Sequence, residues 1–106
     1  TQKKCVPCEA GGASLSQDEA RVLMAQIPQW TLAADGTRIS RTFDFKDFAD
    51  ALAFANKVGA IAEAEGHHPD LRVSWGKVGV ELLTHAVGGL SENDFILAAK
   101  IDQVPI

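Results

Sequence analysis

The sequence predicts an α+β domain: a four-stranded antiparallel sheet with helices packed on one face, in the order α-β-β-α-β-β-α. Three observations carry this expectation. Two pairs of alternating runs are each joined by a glycine-containing turn, a long helical stripe separates the pairs, and capped helical patterns flank them. Hairpins joined through a helix favour an antiparallel sheet, and a period-2 alternation leaves one face of it apolar for the helices to cover.

Taken in order, residues 1–14 end in Gly11-Gly12-Ala13-Ser14 and read as a flexible arm, with residues 15–106 as a single domain. Ser16-Gln-Asp-Glu19 matches a capping box, and the helix after it carries Ala20, Leu23, Met24 and Ile27 on one face before Pro28 stops it. Residues 29–33 alternate up to the turn signal Ala34-Asp35-Gly36-Thr37. The partner run 38–45 then places Ile39, Arg41, Phe43 and Phe45 on one face. From Lys46 or Asp47 to about Glu65 the period is helical, with Phe48, Leu52, Ala55, Val58, Ile61 and Ala62 as the apolar stripe. Gly66 and Pro69 end it. A second hairpin follows, 71–75 and 78–85 about a turn at Gly76-Lys77. Gly88-Gly89-Leu90 then breaks the strand and Ser91 caps a last helix. That helix has Glu92 and Asp94 in its first turn and Phe95, Leu97, Ala98 and Ile101 on its apolar face.

The totals exclude several function classes. A net charge of -4 with only ten Lys and Arg scattered through the chain argues against direct nucleic-acid binding, which needs clustered cations, and against an anionic membrane surface. No run of about 18 apolar residues and no secretion signal is evident, so a cytoplasmic protein is expected. A domain of 106 residues is small enough that self-association would supplement its core. Cys5 and Cys8 form the chain's single C-x-x-C pair. The pair could be half a zinc site, a redox dithiol or an incidental pair. The incidental reading stands first, because structural zinc takes about four ligands and the motif lacks a thioredoxin-like strand and helix around it.

The chemistry concentrates in Glu63-Ala-Glu-Gly-His67-His68-Pro69-Asp70, where the long helix ends. Adjacent histidines before a proline poorly suit either helix or strand, because the residue before proline is pushed out of the helical region. The hairpin turn lies midway between this corner and His85, so the antiparallel strands bring all three histidines to one end. Glu63 arrives from the preceding helix and Asp94 from the next, and either carboxylate could fix an imidazole tautomer. Glu63 and His67, four apart, are close enough to touch if the helix persists that far. Taken singly, each residue has a plainer explanation. A histidine at a helix C-terminus complements the dipole, Asp94 is a first-turn acid, and Glu63 is a solvated helix residue. Trp30 and Trp75 are core aromatics by default, or the wall of a ring-shaped pocket. The plain readings do not account for the histidine pair together with His85. A zinc site on His67, His85 and a third imidazole or Glu63 ranks below metal-free acid–base catalysis. Adjacent histidines in extended backbone point to opposite sides, and no HExxH helix is present.

The spacing Glu63-x3-His67-His68-Pro69-x5-Trp75-x9-His85-x8-Asp94 resembles the signature of the pterin-4a-carbinolamine dehydratase family, as do the flanks Gly88-Gly-Leu-Ser-Glu-Asn-Asp94-Phe and Phe43-Asp-Phe-Lys-Asp-Phe48. The resemblance runs from Leu15 to Ile101. It implies dehydration of 4a-hydroxytetrahydropterin to quinonoid dihydropterin, recycling the cofactor of aromatic amino-acid hydroxylases, with no metal or cofactor required. Carried over by position, it implies His67 and His85 as acid and base about the leaving hydroxyl, and His68 as a pterin ligand. Asp94 and Glu63 would orient the imidazoles and the ring. It also implies a homodimer or homotetramer, and a protein partner such as a hydroxylase or Rubisco. The alternative function it carries is a non-catalytic binding protein, such as a Rubisco assembly factor of carboxysomes or a transcriptional dimerisation cofactor. The retained histidines favour the enzyme.

Overall fold

The computed structural model describes residues 14–104; the arm residues 1–13, with Cys5 and Cys8, lie outside the described residues. Helix α1 (Gln17–Met24) starts at the expected capping box, with the Ser16 amide donating to Glu19 Oε1 at 2.9 Å and the Glu19 amide to Ser16 Oγ at 3.1 Å. It ends before Ile27. Residues 25–27 tighten instead into bonds to the third residue back, a common way of closing a helix end. Strands β1 (Thr31–Leu32) and β2 (Ile39–Asp44) form the first hairpin. Helix α2 (Phe48–Glu65) is capped by Asp47, whose carboxylate accepts from the Asp50 amide at 2.8 Å. Strands β3 (Asp70–Ser74) and β4 (Lys77–Leu82) form the second hairpin, and α3 (Glu92–Asp102) closes the chain.

All strand pairs are antiparallel, and the order across the sheet is β1-β2-β4-β3, so β4 is flanked on both sides. Period 2 sorts the faces. Ile39 and Phe43 of β2 and Val78, Val80 and Leu82 of β4 are buried in one core with residues of all three helices, while Thr42, Asp44 and Lys77 on the opposite face are exposed. Phe54 of α2 joins the layers, its ring 4.6 Å from Phe43 and 5.1 Å from Phe45. Beside Phe43, Asp102 accepts from the Trp30 indole at 2.8 Å and from the Arg41 guanidinium at 2.7 Å, while Arg41 lies 4.3 Å over the Phe43 ring.

Four expectations are corrected. The second hairpin pairs Ser74 with Lys77, so its turn is Trp75-Gly76 rather than Gly76-Lys77. Trp75 therefore sits at a turn apex and is 73% exposed instead of in the core. On α2 the buried stripe is Ala51, Phe54, Ala55, Val58 and Ala62, whereas Phe48 and Leu52 lie on its flank and are exposed. Strand β4 ends at Leu82 instead of running to His85. A bridge between Thr84 and Gly89 closes a short 3₁₀ turn, His85–Val87, which Gly88 ends at φ 67°, a backbone form that glycine adopts without a Cβ penalty.

Candidate active site

Strand register brings the expected residues to one end of the sheet. Asp70 at the start of β3 pairs with Glu81 near the end of β4, so the 67–69 corner lies beside the segment that leads into Thr84 and His85. Helix α2 reaches this corner through Gly66, left-handed at φ 66°. The amides of Gly66 and His67 fold back onto the Glu63 and Ala62 carbonyls at 3.3 and 3.2 Å, the usual closure for a helix ending in glycine.

The two histidines then part. The His67 ring is largely buried, and its Nε2 lies 2.6 Å from Asp94 Oδ1. His68 stays exposed, and its Nε2 meets Glu63 Oε1 at 3.1 Å. The expected Glu63–His67 contact is thus replaced by Glu63–His68. Chain closure at Gly66 turns His67 inward to the carboxylate on α3 and leaves His68 on the side of Glu63, consistent with neighbouring residues of extended backbone facing opposite ways. Asp94 is fully buried. Besides His67 it binds the Ser91 amide at 2.9 Å and the Thr84 hydroxyl at 2.8 Å, both through Oδ2, and Thr84 Oγ1 lies 2.7 Å from Ser91 Oγ. A buried carboxylate needs this much hydrogen bonding, and among the described residues no buried side-chain N or O lacks a partner.

His85 follows Thr84 directly and is exposed at the first position of the 3₁₀ turn. Trp30 is buried with its N–H taken by Asp102, and Trp75 sits at the far end of the β3–β4 hairpin from the histidine corner. Five of the seven singled-out residues, Glu63, His67, His68, His85 and Asp94, therefore gather at one end of the domain, and the tryptophans do not join them. Thr84 and Ser91 were missed. Their signals were present, because period 2 continued from Val78, Val80 and Leu82 puts a polar Thr84 at an inward position, and Ser91-x-x-Asp94 has capping-box spacing.

The arrangement supplies imidazoles at two depths, one oriented by a buried carboxylate and one open to solvent. That suits the donation and removal of protons on a small molecule. Among the described residues, no group of three His, Cys, Asp or Glu could hold a metal ion, and no helix is long and apolar enough to cross a membrane.

Comparison with known proteins follows the same line. The family model described as pterin 4 alpha carbinolamine dehydratase matches residues 13–104. A Methylococcus capsulatus protein, provisionally named a pterin-4-alpha-carbinolamine dehydratase, is 49% identical over 98% of this chain and 91% of its own length. The crystal structure of a transcriptional coactivator/pterin dehydratase from Brucella melitensis superposes with a TM-score of 0.78 at 30% identity, covering 84% of this chain and 95% of that one. A pterin dehydratase-like Rubisco assembly factor of the alpha-carboxysome shares the fold at a TM-score of 0.59 and 23% identity, covering 70% of this chain and 86% of its own.

Proposed function

The chain belongs to the pterin 4 alpha carbinolamine dehydratase family, and on that footing we propose that it dehydrates 4a-hydroxytetrahydropterin to quinonoid dihydropterin and water through its histidines. The observation that carries the reading is the 2.6 Å contact between His67 Nε2 and the buried Asp94 carboxylate, beside His68 and His85. A carboxylate that accepts from Nε2–H leaves Nδ1 of the neutral ring as the basic atom, so a proton is held at one defined place. In the reaction the C4a–O bond breaks with its electrons going to oxygen, which takes a proton from the acid and leaves as water. A ring nitrogen gives its proton to the base, and that electron pair forms the new C=N bond. His67 and His85 are the acid and base, His68 holds the pterin with Glu63 orienting it, and Asp94 orients His67. The same reading carries a homodimer or homotetramer, for which Phe48, Leu52, Leu71 and Trp75 supply exposed apolar surface. Sedimentation would measure it.

The test is stopped-flow loss of 4a-hydroxytetrahydropterin, generated in place by a hydroxylase, with the protein at catalytic and stoichiometric amounts. Multiple turnovers above the spontaneous rate are expected. No acceleration by folded protein would sink the dehydratase reading. It would leave a protein-binding role, the second reading, which the double description of the Brucella melitensis relative favours.

A further inference from the structure

We infer that Thr84 is a positioning residue for His67, acting through Asp94. Its kinetic consequence rests on the dehydratase reading, whereas its effect on the imidazole does not. Thr84 is 4% exposed, so its hydroxyl must be satisfied inside the protein. Its single proton goes to Asp94 Oδ2 at 2.8 Å. The 2.7 Å contact with Ser91 Oγ must therefore be donated by Ser91. The order is Ser91 hydroxyl to Thr84 hydroxyl to Asp94, with the Ser91 amide donating to the same Oδ2 at 2.9 Å.

Two donors on Oδ2 fix the plane of a carboxylate that has no exposed surface, and so fix the direction in which Oδ1 presents itself to His67 at 2.6 Å. An acceptor there selects the ring form with its proton on Nε2, and among the described residues nothing pairs with Nδ1. The chain is shaped for this. The Thr84–Gly89 bridge and the left-handed Gly88 return the backbone so that Ser91, seven positions on, meets Thr84. Valine would fill the same space as Thr84 but supply no proton. Oδ2 would then keep one donor, the carboxylate could swing about it, and the ring would gain access to the Nδ1–H form.

The experiment compares the full ¹⁵N-labelled chain with Thr84→Val, Thr84→Ala and Thr84→Ser, reading the His67 ring nitrogens by long-range ¹H–¹⁵N correlation and the dehydration rate by stopped flow. Wild type and Thr84→Ser are expected to show a protonated Nε2 and a bare Nδ1. Thr84→Val, or Thr84→Ala should the valine variant not fold, is expected to mix the two forms. Its kcat should fall roughly 10-fold, the lower range for losing a residue that orients a functional histidine, with KM within about twofold. An unchanged ring pattern in a folded hydroxyl-less variant overturns the inference, as does a shifted pattern with unchanged kcat in an enzyme that turns over. If wild type does not turn over at all, the dehydratase reading fails, and the ring pattern alone decides whether Thr84 positions His67.

Discussion

At the scale of single residues, burial separates His67 from the exposed His68 and His85. His67 is held by a carboxylate with no solvent access, so replacing it removes an imidazole from a fixed position. His67→Ala or His85→Ala is expected to lower dehydration at least about 100-fold, the lower range for a general acid or base. His68→Ala should raise KM instead, since on the dehydratase reading the exposed imidazole beside Glu63 holds the pterin. Wild-type turnover by the double variant at His67 and His85 would end the mechanism. Asp94→Asn makes a sharper case, because the amide must either present a donor to His67 or turn it toward Thr84 and the Ser91 amide, where two donors already point. It is expected to reduce kcat by a similar factor and to cost about 1–3 kcal/mol of stability, the penalty for a buried unsatisfied donor, as a shift in the denaturation midpoint. The sequence made the membership of this cluster legible, because spacing about a hairpin fixes which ends meet. The pairing was not legible. Whether Glu63 meets His67 or His68 turns on which way the chain leaves Gly66, and only the folded corner determines that.

At the scale of elements, what was readable was what depends on local chemistry. The Ser16–Glu19 box, the Asp47 and Ser91 helix starts and the inward set Val78, Val80 and Leu82 follow from capping and period 2. The end of β4 did not, since Thr84 and His85 prolong the alternation while the Gly88-Gly89 turn pulls the backbone out of the ladder. On α2 the inner part of the stripe, Ala55, Val58 and Ala62, was readable, and only its Phe48 and Leu52 flank was missed. Phe48 and Leu52 satisfy a helical period, but the sheet selects the neighbouring rows through Phe54 and the alanines. Two predictions belong to this scale. Gly66→Ala meets nothing within 4 Å, so its cost is conformational only, about 1 kcal/mol, measurable by urea titration. A far larger loss would mean that the corner depends on more than backbone form. The Glu19 carboxyl is held below its ordinary 4.5 by bonds from the Ser16 amide first and the Ser16 hydroxyl second. The group is charged in the folded state to lower pH than in the unfolded one. Its contribution is therefore complete above the unfolded value and disappears as pH falls through the lowered folded value. Protection of the Ser16 amide, taken relative to its intrinsic exchange rate at each pH, should fall over that acid range, and Glu19→Gln should remove this change in protection.

At the scale of the whole molecule, one core serves both the sheet and the site. Leu82 has no exposed surface, lies on the strand flanked by both β2 and β3, and stands two positions before Thr84. Leu82→Ala is expected to cost about 2–5 kcal/mol through lost burial and the cavity left behind. That is a large part of the roughly 5–15 kcal/mol that holds a small domain together. The measurement is a denaturant titration followed in parallel by far-ultraviolet dichroism and by dehydration. The midpoint should fall with an unchanged slope, because the same surface is exposed on unfolding. The residues of the site come from the end of α2, the β4–α3 connection and the first turn of α3, all of them packed on this core. Activity and dichroism should therefore disappear together in both proteins. Activity lost well before dichroism would instead identify the histidine corner and the 84–91 turn as a unit that opens on its own. In that case the hydrogen bonds converging on Asp94, rather than the core beneath them, would set the stability of the site.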